Sequence, residues 1–214
     1  MGLDIITILE MAPAAVIGLT VHEFSHAYAA YRLGDMTAKF DGRLTLNPLK
    51  HIDWFCFLLI VIAGFGWAKP VQFNPLNLKN EHRDEIIIAF AGPISNFLLA
   101  IAFISIARIL YVSNFFHTSG IGIEIIHLIL VWGVINFGLF VFNLIPIPPL
   151  DGSHFYMTYL QDMHPRLMMN LYRWGTFGLF VIIIVENQFH LNILHLSDFV
   201  GSITTFFIKL LHFN

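Results

Sequence analysis

Residues 121–145 contain one charged side chain, Glu124, and residues 86–112 contain one, Arg108. In hydrocarbon every backbone N–H and C=O must be bonded within the protein, and about 20 apolar residues suffice for a crossing. Runs of this kind predict membrane-spanning helices. A third run covers 3–33 and a shorter fourth about 172–185, while 54–66 reads as a tilted or re-entrant piece and 199–213 as a short last span or an interfacial helix. Composition agrees: 57% of the 214 residues are hydrophobic and 12% charged, against roughly 25% charged in soluble domains. The outer solvent of such a chain is mostly lipid. The expected fold is an all-α polytopic membrane protein with four to six membrane helices. One domain over 1–214 is expected, with a core at about 3–160 and C-terminal membrane segments at about 172–213.

Charge distribution sets an orientation and removes some function classes. Of 11 Lys and Arg, seven lie between the first and second strong spans: Arg32, Lys39, Arg43, Lys50, Lys69, Lys79 and Arg83. By the positive-inside rule this stretch faces the cytoplasm, so the chain is expected to be a multi-pass protein of the cytoplasmic membrane. The net charge of −3 and the absence of a basic stripe exclude nucleic acid as a partner. Cys56, the single cysteine, excludes an intramolecular disulfide and a cysteine metal cage. The N-terminus lacks a basic n-region, so the first apolar run is expected to stay as a spanning helix. Within the cytoplasmic stretch, residues 43–48 and 69–75 alternate apolar and polar side chains and end at proline. Alternation bounded by proline predicts short strands, hence a small β element near the cytoplasmic side.

His22-Glu23-Phe24-Ser25-His26 lies inside the first apolar run. Residues four apart share a helix face, so both imidazoles can meet one metal ion with Glu23 beside it. Ionisable groups in a membrane helix cost about 2.5–3.5 kcal/mol each, even on the mild insertion scale. A site of chemistry explains that cost better than a polar packing face. Catalytic zinc usually takes three protein ligands and keeps one position for water, so a third ligand comes from elsewhere. The other histidines fall mostly in loops or near span ends, where a solvated imidazole is the ordinary reading. Asp151 follows Pro146, Pro148 and Pro149, which break the third span at its cytoplasmic end. That matches the depth of His22 and His26. Its alternative role is to cap the helix that follows.

Three motifs in order resemble the site-2 proteases, intramembrane zinc metalloproteases. They are His22-Glu23-Phe24-Ser25-His26, Ala91-Gly92-Pro93-Ile94-Ser95-Asn96, and the stretch from Asn143 to Pro149 followed by Leu150-Asp151-Gly152. Arg43-Leu44-Thr45-Leu46-Asn47-Pro48 and Gly66-Trp67-Ala68-Lys69-Pro70 are similar to the short prokaryotic branch, which has no PDZ or nucleotide-sensing domain. The resemblance implies one zinc ion per chain, with His22, His26 and Asp151 as ligands and Glu23 as acid/base. It implies Asn143 as a contact to the substrate backbone, and Asn96 and Gly92 as further substrate contacts, although Gly92-x-x-x-Asn96 also suits close helix packing. The expected activity is hydrolysis of peptide bonds in or near transmembrane segments, with the site toward the cytoplasm. Expected partners are a transmembrane protein or peptide substrate and the lipid bilayer, with homo-oligomerisation open. A metal transporter needs polar ligands along a path to both faces and has no need for Glu23. A proteolytically silent scaffold does not need the full set of chemical groups, and a zinc enzyme acting on another membrane-embedded substrate is a third alternative.

Overall fold

The structure, a computed structural model, describes residues 5–51, 69–113, 119–189 and scattered positions from 191 to 209. The segment 54–66, with Cys56, and most of 199–213 lie outside the described residues. Seven helices carry the architecture described below: α1 (Ile5–Leu33), α2 (Thr37–Phe40), α3 (Pro48–His51), α4 (Glu81–Val112), α5 (Gly120–Asn143), α6 (His154–Met163) and α7 (Pro165–Phe189).

Local sequence sets their ends. Helix α1 stops where Gly34, at φ 113°, turns the chain. The Gly34 N–H bonds the Tyr31 carbonyl at 3.3 Å and the Asp35 N–H bonds that of Ala30 at 2.9 Å. This is a Schellman ending, and it favours glycine because the left-handed conformation crowds any Cβ. Helix α4 starts from Asn80, whose side chain accepts from the Arg83 N–H at 3.2 Å while Asp84 accepts from the Asn80 N–H at 3.0 Å. Glu81 and Asp84 in its first turn suit the positive end of the helix dipole. Ser119 caps α5 through the Gly122 N–H. Pro165 opens α7 at the position where its missing N–H costs nothing.

Helices α1, α4 and α5 pack pairwise into one bundle. Small residues line the contacts: Ala14, Ala27, Ala30, Ala100 and Ala107 are fully buried. At Gly133 an added Cβ would sit 2.8 Å from Ile104 Cγ1. Backbones that approach this closely gain van der Waals contact without needing a hydrophobic drive between helices. Helix α4 runs antiparallel to α1, since Ile88 meets His26 and Asn96 meets Gly18. Helix α5 runs parallel to α1, since Trp132 bonds the Glu10 carbonyl and Asn136 lies against Gly18. The end of α1, the start of α4 and the end of α5 therefore share one end of the bundle. Helix α6 bridges α4 and α7, and Gly175 of α7 lies against Pro148.

Three of the described helices are long and apolar enough to cross a membrane: α4, α5 and the Pro165–Glu186 part of α7. Of the expected four to six spans, three are thus found among the described residues on length and composition. Helix α1, which carries the expected first apolar run, is on average as apolar as α4 although it holds Glu10, His22, Glu23 and His26. The expected β element is corrected, because no strand occurs among the described residues. Residues 69–74 lie outside any helix and side-chain exposure alternates from Val71 to Leu76, as the pattern predicted. A ladder is nonetheless missing. The N–H of Val71 bonds Glu23 at 3.0 Å and that of Asn74 bonds Asp35 at 3.0 Å. In 43–47 the Thr45 N–H folds back on the Arg43 carbonyl at 2.9 Å. Alternation encodes an extended chain, whereas a strand also needs an unspent neighbour.

Candidate metal centre

Helix α1 presents His22 and His26 on one face, one turn apart, with Nε2 atoms 3.0 Å from each other. Asp151 arrives from the turn after α5, with Oδ2 3.1 Å from His22 Nε2 and Oδ1 3.5 Å from His26 Nε2. The three potential ligand atoms lie within 4.8 Å of one another. Asp151 opens a 3-10 turn, Asp151–Ser153, and the following helix receives no side-chain cap from it. Its carboxylate faces the histidines, so the capping alternative does not describe this residue.

The outer hydrogen bonds decide which ring nitrogens face inward. His22 Nδ1 lies 2.6 Å from Asn96 Oδ1, and His26 Nδ1 lies 2.7 Å from the Ile88 carbonyl. Both partners are acceptors, so both Nδ1 atoms donate. In the neutral rings each Nε2 then carries a lone pair directed at the other ring and at Asp151. Asp151 Oδ2 is buried and has no hydrogen-bond partner. Three lone-pair donors aimed at one point repel each other unless a cation lies among them. The arrangement fits a divalent metal with two nitrogen and one oxygen ligands.

Backbone features make room for this cluster. At Gly92 a Cβ would overlap His26 Nε2 and lie 2.6 Å from His22 Nε2. Only glycine leaves the imidazoles their place. Pro93 follows inside α4, and proline lacks the N–H and disturbs the preceding turn. The Ile88 carbonyl, one residue before the Ala89 carbonyl that Pro93 leaves without its helical donor, accepts from His26. At Gly152 a Cβ would overlap the Leu144 carbonyl oxygen and lie 2.9 Å from that of Ile145, so the turn carrying Asp151 closes on the end of α5.

Glu23 is buried, 7% exposed, and its Oε2 accepts from the Val71 N–H. Among the described residues nothing else bonds this carboxylate. Asn96 is fully buried and stands behind His22, its Nδ2 donating to the Gly18 carbonyl and to Asn136 Oδ1, each at 3.1 Å. Asn143, at the end of α5, donates Nδ2 to the Leu139 carbonyl of its own helix at 2.9 Å. The structure thus gathers His22, His26, Asp151, Gly92 and Asn96, sets Glu23 on the same turn of α1, and leaves Asn143 without a hydrogen bond to that cluster. Sequence reasoning missed Asn136, Asp35 and the backbone groups of Ile88 and Val71. A buried amide in an apolar span was a usable signal for Asn136; nothing local marks a carbonyl or an N–H that reaches a distant side chain.

Comparison with known proteins identifies the family. The model of peptidase family M50 matches residues 11–124 and 108–185. "Putative zinc metalloprotease YwhC" of Bacillus subtilis is 40% identical over 137 residues, covering 64% of this chain and 63% of the relative. "Putative zinc metalloprotease Rip2" of Mycolicibacterium smegmatis is 29% identical over 176 residues, covering 79% and 63%. The match to Rip2 of Mycobacterium tuberculosis is 29% over 148 residues and covers 52% of that protein. The chain therefore spans less than two thirds of the length of these curated relatives. No solved structure matches it. The family model covers well over half of the chain, which belongs to peptidase family M50, the site-2 proteases.

Proposed function

We propose that this membrane protein is an intramembrane zinc metalloendopeptidase that hydrolyses peptide bonds in or near the transmembrane segments of its substrates. The observation that carries the reading is the convergence of His22 Nε2, His26 Nε2 and the Asp151 carboxylate, with Asp151 Oδ2 buried and unpartnered and Glu23 on the same turn of α1. His22, His26 and Asp151 would hold zinc, which when bound supplies a Lewis acid and lowers the pKa of water to about 7. Glu23 takes the proton from the attacking water and returns it to the leaving amine. The Val71 N–H holds one oxygen of Glu23, so the carboxylate enters the reaction already oriented. Asn96 and Ile88 keep both Nδ1 atoms protonated and both Nε2 atoms available. The basic stretch 32–83 supports a site toward the cytoplasm, where water has a short path to it.

The test uses the purified chain in detergent, a panel of single-span substrates and a zinc measurement. Wild type is expected to carry one zinc and to cleave at least one substrate, with cleavage abolished by a chelator. Glu23→Gln is expected to keep the zinc and to lose hydrolysis. Full cleavage by Glu23→Gln would remove Glu23 as the base, and a folded wild type that binds no zinc would overturn the reading.

A further inference from the structure

Asp35 lies just past the end of α1 and is fully buried. An isolated buried carboxylate is costly, and this one is matched by four donors. Oδ1 accepts from the Thr37 N–H at 3.2 Å, Thr37 Oγ1 at 2.7 Å and Asn77 Nδ2 at 2.7 Å. Oδ2 accepts from the Asn74 N–H at 3.0 Å. The bonds to Thr37 are local and would serve any turn. Those to Asn74 and Asn77 reach 39 and 42 residues along the chain. They tie Asp35 to the segment 69–77, three residues from the point where the Val71 N–H meets Glu23.

That segment is held at both ends. The Lys69 N–H bonds the His51 carbonyl at 2.9 Å, and the Lys69 carbonyl accepts from Arg43 Nη1 at 3.2 Å. At the far end Asn74 caps the turn Pro75–Asn77, accepting from the Leu76 N–H at 3.1 Å. Between the anchors the chain is extended, about 10 Å from Val71 to Asn74 at roughly 3.3 Å per residue. Pro70 and Pro75 bracket it and fix φ at their positions. A stiff strap pinned at Asn74 has little freedom at Val71.

We propose that Asp35 is a positioning residue for the reaction, acting on Glu23 through the strap 69–77. Asp35 sets where the strap lies, and the strap's Val71 N–H sets the direction of the Glu23 carboxylate. Arg43 is the matching anchor at the other end. Small misplacements of a reacting group cost rate, about a hundredfold for 1 Å. The proposal rests on Glu23 as the base, and its test separates the two ideas.

Hydrogen exchange of the peptide covering 69–77 and cleavage kinetics are measured on the full zinc-loaded chain in detergent. Asp35→Asn keeps one acceptor and turns the other into a donor facing the Asn74 N–H. It is expected to speed exchange in the strap and to lower kcat roughly tenfold or more, with KM and zinc per chain unchanged. Glu23→Ala is expected to speed exchange at Val71 while the anchors stay protected. Asn77→Ala, which removes one bond at an exposed position, serves if Asp35→Asn does not fold, and is expected to give a smaller change in the same direction. Wild-type kcat in a variant with a loosened strap would overturn the proposal, as would reduced kcat with strap exchange unchanged. If wild type cleaves no substrate, the peptidase reading fails. Exchange then still decides the mechanical link: Asp35→Asn must release the Val71 amide, and unaltered protection there overturns it.

Discussion

His22 donates its Nδ1–H to Asn96 Oδ1 at 2.6 Å, across 74 residues of chain. The orientation of the Asn96 amide is set by its other side, where Nδ2 donates to the Gly18 carbonyl and to Asn136 Oδ1. Asn136 is held in turn by the Trp132 carbonyl at 2.9 Å. A chain of amides running across three helices thus selects the tautomer of one imidazole. Replacing Asn96 by Leu removes the acceptor and leaves Nδ1 buried without a partner. Zinc affinity, measured by competition with a chelator, is expected to fall 10- to 100-fold, on the order of other outer-shell losses at metal sites.

Gly92 and Gly138 are both helical glycines, yet their surroundings differ. A Cβ at Gly92 collides with both imidazoles, whereas at Gly138 it meets nothing within 4 Å. Gly92→Ala is expected to push the rings apart and abolish zinc binding while the purified protein keeps its helical circular dichroism. Gly138→Ala is expected to leave zinc content unchanged and thermal stability equal or higher, since Ala is favoured over Gly in a helix by about 1 kcal/mol. Equal zinc content in the two variants would contradict the crowding.

Gly152→Ala acts on Asp151 through the backbone. The added Cβ would meet the Leu144 carbonyl carbon at 2.5 Å and the Ile145 oxygen at 2.9 Å. Neither group is the end of a flexible side chain, so the turn must move and carry Asp151 with it. Overpacking of this kind costs about 1–3 kcal/mol. Thermal unfolding should register that loss, together with a weaker hold on zinc. A variant with unchanged stability and zinc affinity would mean that the turn tolerates a side chain.

Acid should loosen the strap. Burial raises the Asp35 pKa, but hydrogen bonds from Asn77, Thr37 and the Asn74 N–H outweigh it and hold the group below its ordinary value. A folded-state pKa below the unfolded one gives stabilisation that is complete above the ordinary carboxylate value of about 4. It is lost as pH falls through the depressed value. Pepsin, added as pH is lowered below about 4, is expected to nick wild type within 69–77 with a steep onset. Asp35→Asn is expected to be nicked without that step. Identical profiles would show that Asp35 does not govern the strap.

Much of this centre was legible in the sequence because its signals are local. The i, i+4 spacing of His22 and His26 puts them on one helix face wherever α1 packs. The prolines after Asn143 end α5 and release Asp151 at the same end of the bundle. Leu33-Gly34-Asp35 ends α1 by a motif that needs only six residues. The strands expected at 43–47 and 70–74 fail for a reason of the same kind. Alternation is a property of one segment, while pairing requires a second segment with free N–H and C=O groups. Here the Val71 and Asn74 donors face carboxylates instead.

By itself the sequence determined the helical, lipid-facing character of the chain and the identity of the three converging donors. Hydropathy and helical periodicity act within a few residues. The tertiary structure alone decided what stands behind those donors: Asn96 at His22, the Ile88 carbonyl at His26 and the Val71 N–H at Glu23. These contacts join residues 48 to 74 positions apart. They exist because small side chains at Gly18, Gly92, Ala27 and Ala100 let three helices close to a fixed separation and rotation. That separation is a property of the packed bundle, and no single segment carries it.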